Sequence, residues 1–66
     1  MPKYPDIQVK LTGTDRKVPL LISRCVRAMT RADVPGEEID AFIKEAEAAT
    51  DWKLLVSIVS NWVDLD

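Results

Sequence analysis

The stretch Trp52–Leu65, with the sequence WKLLVSIVSNWVDL, is the most apolar part of this chain and contains both of its tryptophans. Read at helical spacing, its main apolar stripe consists of Trp52, Leu55, Val59 and Trp62. A helix that is apolar around so much of its circumference is either enclosed by its own domain or shared with a second copy. We therefore expect this segment to organise the fold, and we expect the stripe to form an oligomer contact.

The chain is short, with 66 residues, and we expect residues 1–66 to form a single small domain. Chains of this length bury only about 60% of their unfolded surface, so they often depend on disulfides, metals or self-association. Cys25 is the only cysteine and there is no histidine, which excludes an internal disulfide and a Cys/His zinc site. We therefore expect a homo-oligomer with no metal and no cofactor.

The sequence also limits where the protein acts. Charges or hydroxyls interrupt every apolar run before the ~20 residues that a membrane span requires, and the N-terminal sequence MPKYPDIQ lacks an apolar signal-peptide core. A single cysteine suits a reducing compartment, where Cys25 is typical of a small buried apolar residue. We therefore expect a cytoplasmic protein without a membrane partner.

The residue pattern predicts an α+β, mostly helical fold with one N-terminal strand followed by three helices. Alternation predicts a strand over Ile7–Leu11, and Thr12–Asp15 is typical of a turn. Helices are expected from Pro19 to about Ala32, from Pro35 or Gly36 onward, and after Thr50 as an N-cap.

A strand requires a partner, and the pattern offers two. If the last helix ends near Asn61, then Trp62–Leu65 can form a short C-terminal strand that pairs with the first strand. Alternatively, the first strand pairs with its own copy across a dimer. The sequence leaves both arrangements open.

The net charge of −2 conceals a strong asymmetry between the two halves of the chain. Residues 1–32 contain seven basic and two acidic side chains, a net charge of +5, whereas residues 33–66 contain two basic and nine acidic side chains, a net charge of −7. General nucleic-acid-binding domains are usually basic overall, so we do not expect nucleic acid as the main partner.

The basic residues concentrate on one face of the first predicted helix. At about 100° per residue, Arg24, Arg27 and Arg31 share a narrow sector, with the hydroxyls of Ser23 and Thr30 beside them. Arginine binds phosphate or carboxylate oxygens two at a time, so the row predicts an anion-binding face. Arg16 and Lys17, before the helix N-terminus, would assist. A solvated face, or one paired with acids of the second helix, is the simpler interpretation.

Three kinds of anion fit such a row. A phosphate-bearing small ligand such as a nucleotide requires little surface, and its base would stack on Tyr4 or on a tryptophan near the chain ends. An acidic protein surface would make this an interaction module or an inhibitor. Duplex DNA comes third, because no helix-turn-helix signature is evident and the acidic half opposes a polyanion.

Catalysis does not fit the residue types. Without histidine, and with Cys25 within an apolar stripe, no nucleophile–base pair can be assembled. The carboxylate pairs are typical of exposed helical charge, and we see no phosphate-binding glycine loop. We therefore expect a non-enzymatic binding protein.

Short motifs along the chain resemble a family of small uncharacterised proteins from phage and prophage genomes. These motifs are Val9-x-Leu11-x-Gly13-x-Asp15, Arg24-x-x-x-Ala28-x-x-Arg31-Ala32, Val34-Pro35-x-Glu37-Glu38-Ile39-x-x-Phe42, Glu45-Ala46, Leu54-Leu55 and Trp62-Val63. The chain departs from that pattern at Arg16-Lys17, where the family has a glycine-asparagine type turn, and at Ala49-Thr50, where it has Gly-Asp. The family has no assigned activity. The resemblance implies a phage accessory protein that acts inside a bacterial cell by binding, for example by blocking a host protein or by sequestering a nucleotide signal of anti-phage defence.

Overall fold

The computed structural model describes residues 2–11 and 17–65. The elements are, in order, strand β1 (Tyr4–Val9), helix α1 (Val18–Arg31), helix α2 (Gly36–Glu47), helix α3 (Trp52–Trp62) and strand β2 (Val63–Leu65). The predicted α+β, mostly helical fold with a short C-terminal strand is therefore confirmed. The predicted turn at Thr12–Asp15 and the predicted ligand residue Arg16 lie outside the described residues.

The two strands pair in parallel within one chain, which decides between the two arrangements that the sequence allows. Tyr4 is opposite Val63 and Val9 is opposite Leu65, with an irregularity between Tyr4 and Gln8. The predicted boundaries Ile7–Leu11 were wrong at both ends. The strand begins earlier because Tyr4 already has a partner, and it ends at Val9 because β2 ends opposite it.

Helix α1 carries its proline in the first turn, as expected, and buries one apolar face comprising Leu21, Cys25 and Met29. Its end is marked by Asp33, whose φ of 60° lies in the left-handed region that aspartate tolerates better than most residues. The Val34 N–H then donates to the Met29 carbonyl at 3.0 Å, which directs the chain into α2.

Helix α3 begins one residue after its cap. The Asp51 Oδ1 accepts a hydrogen bond from the Leu54 N–H at 2.7 Å, which satisfies a backbone donor of the first turn. The prediction that Thr50 is the cap was wrong, because Asp51 immediately precedes the first helical residue and supplies the acceptor itself.

The side chain of Trp62 is at the centre of the fold. Its ring packs edge-to-face against Phe42 of α2, with 5.7 Å between centroids, and is stacked with Tyr4 of β1 at 6.4 Å. The Nζ of Lys3 lies 4.8 Å from the same ring. One side chain therefore connects α2, the N-terminal segment and the junction between α3 and β2.

The apolar stripe of α3 is enclosed by its own chain. Leu55 and Val59 are fully buried and Trp62 is 6% exposed, whereas Trp52 is only partly buried. Other elements of the same chain cover three of the four residues predicted to form an oligomer contact, and Trp52 is the one that keeps partial exposure. The oligomer contact itself stays a prediction. Leu54 is instead the exposed apolar residue of α3, at 44%.

A Trp62→Ala substitution should lower the free energy of unfolding by about 3–5 kcal/mol, the usual cost of truncating a buried aromatic side chain. Denaturant unfolding monitored by circular dichroism measures the loss. The matched control is Leu54→Ala on the exposed side of the same helix, which should cost much less. Equal effects of the two substitutions would contradict the packing described for Trp62.

An ion pair connects the N-terminal segment to α2. Lys3 pairs with Glu38, and the Tyr4 hydroxyl donates to the Glu38 Oε1 at 3.2 Å. The hydrogen bond from Lys3 is the main reason that the pKa of Glu38 falls below its ordinary value. Partial desolvation acts the other way, and the Tyr4 hydroxyl adds to the lowering.

A lowered pKa in the folded state means that the Glu38 carboxylate stabilises the protein above its ordinary pKa of 4.5, and that this contribution is lost as the pH falls through the folded value. We expect Glu38→Gln to lower the melting temperature at pH 7, with the difference from the wild type shrinking on acidification. Thermal unfolding from pH 7 to pH 3 measures this, with the exposed Glu37→Gln as control. A difference that does not depend on pH would exclude this role for the carboxylate.

Candidate anion-binding site

The three arginines of α1 are exposed and line one groove, because the opposite face of the helix is buried against the core. The groove, of about 230 Å³, lies between α1 and the end of β1. Its lining residues are Gln8, Val9, Lys10, Arg24, Ala28, Arg27 and Arg31. We call it the arginine groove.

Arg24 supports the wall of the arginine groove. Its guanidinium donates from Nη1 to the Lys10 carbonyl at 3.1 Å, which holds the chain beyond β1 against the helix. This bond uses one of the N–H donors of the guanidinium and fixes the position of the Lys10 backbone. Arg24 therefore adds positive charge to the arginine groove and also helps to set its shape.

Arg27 and Arg31 differ from Arg24 in their contacts. Within residues 2–11 and 17–65, neither guanidinium makes a hydrogen bond, an ion pair or a ring contact. Four residues of helix separate them by about 6 Å along the axis, so their donors are close enough to converge on one small anion.

Among the described residues, no acid of α2 forms an ion pair with Arg27 or Arg31. The ion pair that α2 does form is Glu38 with Lys3, at the other end of β1. The interpretation in which the arginines pair with acids of the second helix therefore has no support from the contacts of Arg27 and Arg31.

Lys10 and Gln8 also line the arginine groove, although their sequence pattern did not predict them as site residues. Their alternation with Ile7 and Val9 marks them as the polar side of the strand. The helix that lies beside these polar residues is set by the parallel pairing of β1 with β2. No local sequence pattern specifies that pairing.

Two predicted ligand residues lie elsewhere or are already engaged. Lys17 is exposed but has an extended backbone, with φ −92° and ψ 118°, so it does not continue the helical row and does not line the groove. The Thr30 hydroxyl donates to the Val26 carbonyl at 2.8 Å. Since a hydroxyl has one hydrogen, Thr30 cannot also donate to an anion while it makes this bond.

Tyr4 is not in the arginine groove. Its ring is stacked with Trp62 and its hydroxyl is bonded to Glu38. It does line a neighbouring hollow of about 340 Å³ between the start of β1 and the connection from α1 to α2. The walls of this hollow, which we call the β1 hollow, are Lys3, Tyr4, Pro5, Asp6, Ile7, Ala32, Asp33, Val34 and Pro35.

Cys25 takes no part in either cavity. Its side chain is fully buried, as predicted, and burial raises the pKa of the thiol to about 12. The thiol therefore stays protonated near neutral pH and is inaccessible from the arginine groove.

We expect Cys25 to react with Ellman's reagent at pH 8 only as fast as the protein unfolds, because both access and thiolate formation require opening of the core. Release of the coloured thiolate measures the rate, and the same protein in denaturant gives the unprotected rate. Rapid stoichiometric reaction of the folded protein would show that this face of α1 is not packed as described.

Other kinds of site are not evident in residues 2–11 and 17–65. No three of their Cys, Asp and Glu side chains are grouped closely enough to hold a metal ion. None of the helices described is both long and apolar enough to cross a membrane.

Comparisons with known proteins add no family to this description. No protein-family model matches the chain, and no curated protein or solved structure matches it significantly. The arginine groove is therefore interpreted from its own geometry and charge.

Proposed function

We propose that this protein is a non-enzymatic binding protein whose arginine groove takes a small, phosphate-bearing anion. The observation that carries the proposal is the pair Arg27 and Arg31: two exposed guanidinium groups, without partners among the described residues, in one groove with Lys10 and Arg24. Four positive side chains around about 230 Å³ favour a ligand with more than one negative charge.

The chemistry of the groove suits phosphate oxygens. Each guanidinium presents a planar fork of donors, and hydrogen bonds to charged groups contribute about 1.5–3 kcal/mol each. The side chains are exposed, so solvent and salt weaken this attraction. We therefore expect an affinity that falls as ionic strength rises.

The charge distribution favours a small ligand over a polyanion. The second half of the chain has a net charge of −7, which would repel a long nucleic acid that extends beyond the groove. A nucleotide-sized anion contacts only the basic face. DNA binding is therefore our third choice.

The resemblance to small phage proteins suggests the setting for this activity. A phage protein that binds nucleotides inside a bacterial cell would act by sequestering a nucleotide signal of host defence. In a homo-oligomer, two arginine rows facing each other would enclose a multiply charged ligand more completely than one row does.

An acidic protein partner is the second candidate, and one observation favours it. Leu20 lies one turn before Arg24 on the same side of α1 and is 44% exposed. An exposed apolar residue beside a row of arginines is typical of protein interfaces, where arginine and apolar anchors are enriched. A Leu20→Ser variant would weaken binding to a protein but leave the binding of a phosphate ligand intact.

Titration calorimetry with pyrophosphate, at low and then moderate salt, tests the proposal. We expect heat with the wild type, and at least a tenfold loss of affinity in an Arg27→Ala, Arg31→Ala double variant, since two charged hydrogen-bonding groups are removed. Both side chains are exposed, so the variant should keep the wild-type circular dichroism spectrum.

The control variant is Lys53→Ala, which removes an exposed positive charge of α3 that lines neither the arginine groove nor the β1 hollow. It should bind pyrophosphate nearly as the wild type does. No heat with the wild type, or equal losses in the Lys53 variant and the double arginine variant, would overturn the proposal.

A further inference from the structure

The arginine groove and the β1 hollow adjoin along β1. Residues 3–7 line the hollow and residues 8–10 line the groove, so the strand passes from one directly into the other. On the opposite wall, Arg31 ends the lining of the groove and Ala32 begins that of the hollow. Across from β1, the groove is lined by α1 and the hollow by the connection that follows α1, and no residue of β2 lines either one. We call the two adjoining cavities together the trough.

The two ends of this trough have opposite charge. The groove end carries Lys10 and three arginines, whereas the hollow end carries the exposed carboxylates of Asp6 and Asp33. Lys3, also at the hollow end, is paired with Glu38. A ligand that fits this trough has an anionic group at one end and hydrogen-bond donors at the other.

The β1 hollow also has an apolar lining. Ile7 and Val34 are buried, with 8% and 9% exposure, and Pro5 and Pro35 add exposed apolar surface. A planar heterocycle can cover such a surface while its polar edge reaches the carboxylates. The volume of about 340 Å³ is within the range of small-molecule sites.

We propose that the β1 hollow binds the base of a nucleotide whose phosphates occupy the arginine groove, and that this base is of the guanine type. The inference deepens the proposed function and rests on it. Asp6 to Val9 spans roughly 10 Å of extended chain, a length that a nucleoside diphosphate can bridge.

Donor chemistry selects guanine among the bases. An ionised carboxylate has two acceptor oxygens and no donor. Guanine presents two adjacent donors, the N1–H and the 2-amino group, which match both oxygens. Adenine presents an amino group beside an acceptor nitrogen, and uracil presents one N–H between two carbonyl oxygens, so each would leave a carboxylate oxygen facing another acceptor. Hypoxanthine keeps the N1–H but lacks the 2-amino group.

The same carboxylates set the direction of the ligand. A phosphate in the β1 hollow would lie beside Asp6 and Asp33, which repel it, whereas in the arginine groove it meets four cations. The orientation with the base in the hollow and the phosphates in the groove is therefore favoured by charge alone.

Calorimetry with GDP, IDP, ADP and pyrophosphate tests the inference. We expect the wild type to bind GDP about tenfold or more tightly than ADP, with IDP between them, because unmatched polar edges are rejected. An Asp6→Asn, Asp33→Asn double variant should reduce the GDP preference to less than threefold while binding pyrophosphate at least as tightly as the wild type. Asparagine also tolerates the left-handed backbone at position 33, so the fold should be kept.

The outcomes separate this inference from the proposed function. Equal binding of GDP and ADP, together with pyrophosphate binding that depends on Arg27 and Arg31, would overturn the guanine assignment and leave the anion site standing. A GDP preference that survives the double aspartate substitution would also overturn it. If neither pyrophosphate nor any nucleotide binds, both proposals fail.

Discussion

The parallel pairing of the two ends of the chain is the constraint on which the rest of this structure depends. Parallel strands require a long connection, and here the whole helical part of the protein supplies it. The contacts of Trp62 with Phe42 and Tyr4 hold this closure in place. Because β1 is fixed from the β2 side, its α1 side is left to form a trough with the helix.

The trough contains side chains that are distant in sequence. Lys10 precedes Arg24 by fourteen residues, yet its carbonyl accepts a hydrogen bond from that guanidinium. Leu21, Cys25 and Met29 form the buried face of α1, and the arginines therefore lie on its exposed face. The basic face is thus a direct consequence of the burial of the other face.

Much of the fold follows from local patterns. Helical periodicity gave the order and approximate ends of the helices, and the arginines at positions 24, 27 and 31 were identified as one face because their spacing alone determines it. The cap at Asp51 was missed by one residue, since Thr50 and Asp51 are both good caps and only the helix start distinguishes them. The ends of β1 were misplaced because they depend on how far its partner extends.

The parts of the site that could not be predicted are those formed by residues far apart in the sequence. Gln8 and Lys10 were recognised as polar strand residues but not as site residues, and the β1 hollow needs the start of the strand to lie beside the connection after α1. Tyr4, which was expected at the ligand, packs on Trp62 and also lines the β1 hollow.

The most direct test of the central claim is to map where pyrophosphate binds on ¹⁵N-labelled protein by NMR. The account predicts that titration shifts the side-chain Nε–H signals of Arg27 and Arg31 and the backbone amides of Gln8 and Lys10, while the α3 amides around Lys53 stay unchanged. Shifts confined to other surfaces, or no shifts at millimolar pyrophosphate and low salt, would contradict the assignment of this groove as the binding site.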